Sequence, residues 1–164
     1  MKKLILLLLV VTLGLSFSSC KKDEPSGFSP VGGSWVYSQV SLGITESIRF
    51  TFKADGSYSL VFTRVSPEAD RDKLDAEHND EQHFSGRYSH SQGKVTILSL
   101  QFDGFGERFA KVRQGENVSP DANLTGLVLL YDPKTEMLRV SRELSSKSLD
   151  IDDEMAKQAL VRER

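Results

Sequence analysis

The chain has 164 residues, of which 38% are hydrophobic and 27% are charged, and its formal net charge is −2. The length predicts one domain that is large enough to bury a core. The mildly acidic balance argues against a nucleic-acid-binding protein, which needs a basic surface. The single cysteine excludes an internal disulfide framework.

The first nineteen residues have the features of a secretory signal. Met1-Lys2-Lys3 is a short basic start, and residues 4–17 are almost wholly apolar. This run is shorter than the roughly 20 residues that a membrane-spanning helix needs. We therefore predict a signal peptide over 1–19. Its removal takes Lys2 and Lys3 away, which changes the net charge from −2 to −4.

Cys20 is the only cysteine and follows Ser18 and Ser19 directly after the apolar run. One interpretation is a free thiol packed in a core. The arrangement resembles the lipobox of bacterial lipoproteins, which implies cleavage before Cys20 and a diacylglycerol, with acyl chains such as palmitate, on its sulfur. Residues 20–32 would then be the lipidated cysteine and a flexible, polar tether.

The tether begins with Lys21-Lys22-Asp23-Glu24. This run resembles the basic-acidic tag of lipoproteins that some Gram-negative bacteria export to their surface. The resemblance implies an outer-membrane protein held in the membrane by its N-terminal lipid. It leaves open whether the domain faces the periplasm or the cell surface.

From Ser34 onward the chain is a succession of short segments typical of antiparallel strands. Asp55-Gly56 favours a tight hairpin turn, because the turn needs positive φ. On both sides of it large apolar residues alternate with polar ones: Ile48, Phe50, Phe52, Tyr58, Leu60 and Phe62. We predict eight strands, near 34–41, 46–53, 57–65, 82–90, 94–101, 106–113, 124–131 and 136–142.

Two segments break this alternation and predict helices. The first begins at Ser66-Pro67, because proline suits the first helical turn, and runs to Asp80. The second covers 149–164, where aspartates crowd the first turn and arginines the last, as the helix dipole favours. The strand near 126–131 is apolar on both faces, so we expect the C-terminal helix to cover its outer side.

Gly33-Ser34-Trp35 opens the first strand, and eight hairpin-linked strands can close into a barrel. With the late helix, these features resemble an all-β, lipocalin-like barrel of the compact bacterial lipoprotein kind, over residues 33–164. The resemblance implies that Trp35 packs across the closed end of the barrel. It also implies an arginine of the last strand over this ring, for which Arg139 is preferred to Arg142.

The inward-facing residues of the central hairpin allow two interpretations. They can line a pocket, which usually combines apolar walls with a few polar groups, or they can fill a small barrel completely. The family resemblance favours the pocket. Its candidate lining residues are Phe50, Phe52, Tyr58, Leu60 and Phe62.

Motifs for catalysis are missing from the sequence, including Gly-x-Ser-x-Gly and His-Glu-x-x-His. His78, His83 and His90 lack metal-ligand spacing, so we expect them to be solvated and predict no metal or other cofactor. The sequence therefore favours a non-enzymatic, lipid-anchored protein that binds a small apolar or amphipathic ligand. The alternative is a β-sandwich or barrel interaction module, with partners in a cell-surface protein or glycan-handling assembly.

Overall fold

The central hairpin forms where its alternating pattern predicts it. A computed structural model of the protein describes residues 28–66, 79–111, 113–114 and 123–163. In it, strand β2 (Ile44–Phe52) turns at Asp55-Gly56 into strand β3 (Ser57–Val65). Gly56 has a φ of 77°, a left-handed conformation that glycine adopts at little cost.

Seven further strands and two short helices complete the described elements. The strands are β1 (Ser34–Ser41), β4 (Asp80–Ser91), β5 (Lys94–Ile97), β6 (Gln101–Phe105), β7 (Val128–Asp132), β8 (Met137–Val140) and β9 (Ala159–Glu163). The helices are α1 (Glu107–Ala110) and α2 (Asp153–Lys157). Strands β1 and β3 have the bounds that the sequence predicts.

The strands close into an antiparallel barrel of eight. In chain order β1, β2, β3, β4, β5, β7, β8 and β9 each pair with the next, and β9 returns to pair with β1. Closure gives every strand of this ring a neighbour on both sides, so none of them is left as a free edge. The predicted all-β fold, an antiparallel barrel of about eight strands, is confirmed.

The strand predicted over 94–101 is interrupted. β5 pairs with residues 88–91 of β4, and β6 pairs with residues 82–85 on the same side of β4. Between them the chain bulges, and the N–H groups of Leu98 and Ser99 both donate to the Arg87 carbonyl, at 2.8 and 3.4 Å. β5 and β6 therefore lie along the same edge of β4 and together occupy one strand position of the barrel.

The strand predicted over 106–113 is wrong. Residues Glu107–Ala110 form the one-turn helix α1, in which only Phe109 is buried. The N–H groups of Phe109 and Ala110 both donate to the Gly106 carbonyl, at 2.8 and 3.0 Å. Local hydrogen bonds thus satisfy backbone groups that a strand would have to pair with a neighbour.

The predicted C-terminal helix, 149–164, is wrong in its extent. Asp152 caps α2 by accepting the Met155 N–H at 2.7 Å, and the chain is already extended at Gln158. Residues 159–163 then form β9, which lies between β1 and β8 and gives each of them a partner. These backbone pairings on two sides outweigh the helical pattern.

The terminal helix does not cover the outer face of β7 as expected. Leu130 on that face is 37% exposed, whereas Val128 is buried. The Val128 N–H donates to Ser145 Oγ at 2.9 Å, so the chain that follows β8 lies against β7.

None of the described helices is long and apolar enough to cross a membrane. Most of the helix predicted from Ser66 to Asp80 falls outside the described residues.

Candidate functional site

The barrel has two different ends. We call the end where β1 and β3 begin the closed end, and the opposite end, where they finish, the open end. An apolar cavity of about 290 Å³ occupies the half nearer the open end. It is lined by Tyr37, Ile48, Phe50, Leu60, Phe62, Gln82, Phe84, Leu124, Leu127, Leu129, Val140, Met155, Gln158 and Leu160. About ten molecules of liquid water would occupy this volume, so the cavity is large enough for one small ligand.

Three of the five predicted pocket residues line this cavity. They are Phe50 on β2 and Leu60 and Phe62 on β3, which the alternation of the two strands brings to one face. Phe52 and Tyr58 do not line it. They lie opposite each other near the hairpin turn, and their buried rings fill the barrel toward the closed end.

Tyr58 is a packing residue rather than a group that orients a ligand in the cavity. Its hydroxyl donates to the Ser99 carbonyl at 2.8 Å, across the bulge between β5 and β6. Burial raises the pKa of Tyr58 to about 12. Gly86 lies opposite Tyr58 on β4, and any side chain there would overlap the Ser99 carbonyl and the tyrosine ring.

Trp35 is buried at the closed end, where 1% of its surface is exposed. Its Nε1 donates to the Pro30 carbonyl at 2.9 Å, so the polar edge of the ring is satisfied. Tyr131 meets the ring edge-on, and the centroids are 6.2 Å apart. Trp35 does not line the cavity, although Phe50, which lies opposite it on β2, does.

The arginine that lies over Trp35 is Arg162 rather than Arg139. The guanidinium carbon of Arg162 is 5.0 Å from the ring centroid. β9, which carries Arg162, is the last strand in the barrel, whereas the sequence assigned that place to β8. Arg139 is exposed on the outer surface of β8, and Arg142 pairs with Asp153 at 2.9 Å.

A polar rim lies along the described part of the open end, formed by Gln39, Glu46, Arg64, Asp80 and Arg113. Arg64 pairs with Glu46 at 3.4 Å, and Arg113 lies 3.7 Å from Asp80. Gln39 Nε2 donates to the second oxygen of Glu46 at 3.0 Å, and Gln39 Oε1 accepts from the Tyr37 hydroxyl at 2.8 Å. The charges of the rim are therefore balanced in pairs.

Sequence reasoning missed eleven of the fourteen described residues that line the cavity. Gln82 continues the inward-facing row of β4 beyond Phe84, and the period of two gives a signal for it. Leu124, Met155 and Gln158 come from connections between strands. Only the closed barrel brings these connections to the open end, so no local pattern marks them.

The structure describes two of the three histidines that the sequence predicts to be solvated. His83 Nε2 lies 2.6 Å from Glu81 Oε1 on the outer surface, and His90 is exposed. His78 and Cys20 lie outside the described residues. Within the described part of the chain, no group of three or more histidine, cysteine, aspartate or glutamate side chains has the geometry of a metal site.

Comparison with known proteins gives no further guidance on the ligand. No protein-family model, no curated protein and no solved structure matches this chain.

Proposed function

We propose that this protein is a lipid-anchored, non-catalytic lipoprotein of the outer membrane whose lipocalin-like barrel binds one small apolar or amphipathic molecule. The observation that carries the proposal is the cavity of about 290 Å³ inside a closed barrel. A barrel that served only as an interaction module would have no need for an internal cavity, since eight strands can be filled by side chains alone. The cavity thus favours ligand binding over the alternative.

The chemistry of the cavity wall supports an apolar ligand. Twelve of the fourteen lining residues are aliphatic or aromatic, and the other two are Gln82 and Gln158. Ligand sites commonly combine such walls with a few polar groups that fix orientation. Burial of apolar ligand surface would supply the binding free energy.

Membrane anchoring rests on the sequence alone, because residues 1–27 lie outside the described part of the chain. An anchor at Cys20 is compatible with a ligand site in the barrel. Residue 28 enters the described structure beside Trp35 and Tyr131, with ring centroids 6.2 and 4.2 Å away. The tether therefore joins the closed end, and the cavity opens at the other end.

The test is displacement of an environment-sensitive apolar dye. The protein used is the chain from residue 20 with Cys20→Ser, since all strands of the ring lie between residues 34 and 163. Val140→Trp fills the cavity from β8, and we expect it to weaken dye binding roughly tenfold or more, the equivalent of 1.4 kcal/mol. Val161→Trp is the matched control, because Val161 is 49% exposed on the outer surface of β9.

Saturable binding that Val140→Trp reduces and Val161→Trp does not would support the proposal. Phe62→Ala enlarges the cavity at its wall, and it should admit a bulkier dye than the parent protein does. The absence of saturable binding by any apolar probe would overturn the proposed ligand function.

A further inference from the structure

The amide of Gln82 is held in one orientation at the cavity wall. Its Nε2 donates to Asp80 Oδ2 at 2.6 Å, which uses one of the two N–H donors of the amide. Asp80 is buried, and its carboxylate lies next to Arg113. A carboxylate can only accept hydrogen bonds, so the nitrogen of the amide must face it. The position of the carbonyl oxygen Oε1 is thereby fixed, and this oxygen is the acceptor that the amide offers to a molecule in the cavity.

Gln158 is the second amide at the cavity wall. It lies just beyond α2, and its side chain makes no hydrogen bond to another described residue. A free amide can donate through nitrogen or accept through oxygen. The pair therefore offers one fixed acceptor, Gln82 Oε1, and one group that adapts to either role.

The described part of the cavity wall carries no positive charge. Among the described lining residues there is no lysine, arginine or histidine. The two arginines of the rim are already paired, Arg64 with Glu46 and Arg113 with Asp80. Against this described part of the wall a ligand carboxylate would lose its hydration without gaining a cation, and it would meet the lone pairs of Gln82 Oε1.

From this geometry we infer that the cavity selects ligands with a neutral head group that donates a hydrogen bond, such as a long-chain alcohol or amide, over fatty carboxylates. This inference rests on the proposed ligand-binding function and specifies its ligand class. The apolar chain lies among the aromatic residues of β2 and β3, while the head group donates to Gln82 Oε1. A hydroxyl can also accept a hydrogen bond from Gln158.

The test compares three ligands with the same alkyl chain in the dye-displacement assay: 1-octanol, octyl methyl ether and octanoate at a pH where it is ionised. The ether has no donor, so it cannot bond to Gln82 Oε1, but like the alcohol it can still accept a hydrogen bond from Gln158. We expect 1-octanol to bind about 3- to 10-fold more tightly than the ether, the value of one neutral hydrogen bond. Octanoate should bind more weakly than either, because its charge is buried without a partner.

Gln82→Leu keeps the approximate size of the side chain and removes the acceptor. It should abolish the preference for 1-octanol over the ether. Gln101→Leu is the matched control, because Gln101 is exposed on β6 and does not line the cavity. This control should keep the preference for the alcohol.

The ranking of the three ligands by the unsubstituted protein decides the inference even if a variant folds poorly. Tighter binding of octanoate than of 1-octanol would overturn it, as would a preference for the alcohol that survives in Gln82→Leu. Equal binding of alcohol and ether would overturn the head-group selection and leave the apolar binding function standing. Failure of all three ligands, together with the dye, would overturn both.

Discussion

Arg162 and Trp35 lie opposite each other in the pairing of β9 with β1, and the arginine lies over the indole ring. A guanidinium over the face of tryptophan is a favourable cation–π arrangement. The same arginine also donates from Nη2 to the carbonyls of Ser29 and Val31, at 2.6 and 2.7 Å. One side chain thus connects the last strand, the barrel plug and the segment that leads into the first strand.

We expect Arg162→Ala to lower the free energy of unfolding by about 2 kcal/mol or more. The change removes charged hydrogen bonds worth about 1.5–3 kcal/mol each, and it leaves two carbonyls without their donor. Arg139→Ala is the matched control and should stay within about 0.5 kcal/mol of the parent, since Arg139 is exposed. Urea denaturation measures both. Equal effects of the two substitutions would contradict the role assigned to Arg162.

Trp35→Ala should cost about 3–5 kcal/mol, which is the usual price of truncating a buried aromatic side chain. A domain of this size typically has only about 5–15 kcal/mol, so this variant should be partly unfolded or poorly expressed. Trp35→Phe keeps a ring and should cost less. Trp35 is the only tryptophan, so its fluorescence reports this site alone. Red-shifted emission that quenchers reach easily in the native protein would contradict its burial.

Alkaline pH should destabilise the barrel through Tyr58. In the unfolded chain a tyrosine ionises near its ordinary pKa of 10.0, whereas burial raises the pKa of Tyr58 to about 12. Between these values the unfolded state loses a proton that the folded state keeps, so stability falls as the pH rises. The contribution of Tyr58 to the free energy of unfolding is fully present below pH 10.0 and is lost as the pH rises through about 12.

Tyr58→Phe tests this dependence. It should cost about 1 kcal/mol at neutral pH, through loss of the hydrogen bond to the Ser99 carbonyl. The difference in unfolding free energy between parent and variant should then shrink as the pH rises above about 10, because the variant lacks the titrating group. Denaturant curves at a series of pH values measure it. A constant difference across this range would show that Tyr58 does not keep its proton in the folded state.

Cys20→Ser should prevent lipid attachment. We expect the full-length variant to accumulate as unprocessed precursor or as protein that leaves the membrane fraction, because stable anchoring depends on acyl chains. Membrane fractionation and the mass of the N-terminal peptide measure the two effects. Ser19→Ala, which keeps a small residue before the cysteine, serves as control. Processed Cys20→Ser protein that still fractionates with the outer membrane would refute the lipobox assignment.

The sequence predicts the barrel well where the pattern is local. Phe50, Leu60 and the residues around them alternate strictly, and the turn at Asp55-Gly56 needs only nearby residues. The alternation cannot tell which inward residues border an empty space and which fill the barrel. Phe52 and Tyr58 continue the same rows as Phe50 and Leu60 but lie nearer the hairpin turn, and only the assembled core shows which of these residues border the cavity.

The sequence does not predict strand β9, because this strand forms by pairing with distant segments of the chain and not from a local pattern. Residues 149–164 carry an apolar spacing and charge order that suit a helix, and part of the segment does form α2. Residues 159–163 become a strand because a gap exists between β1 and β8, and that gap is invisible in the segment itself. Because β8 is then the last predicted strand, the sequence assigns the arginine over Trp35 to Arg139 instead of Arg162.

The pairing of β1 with β9 also sets the order of events when this protein is made. β1 begins at Ser34 and β9 ends at Glu163, so nearly the whole chain separates two strands that must hydrogen-bond. A chain still growing from the ribosome has the first strand but not its second neighbour, and the barrel cannot close. Contacts between such distant parts of a sequence form slowly. A protein of this topology therefore cannot complete its barrel until synthesis has passed β9.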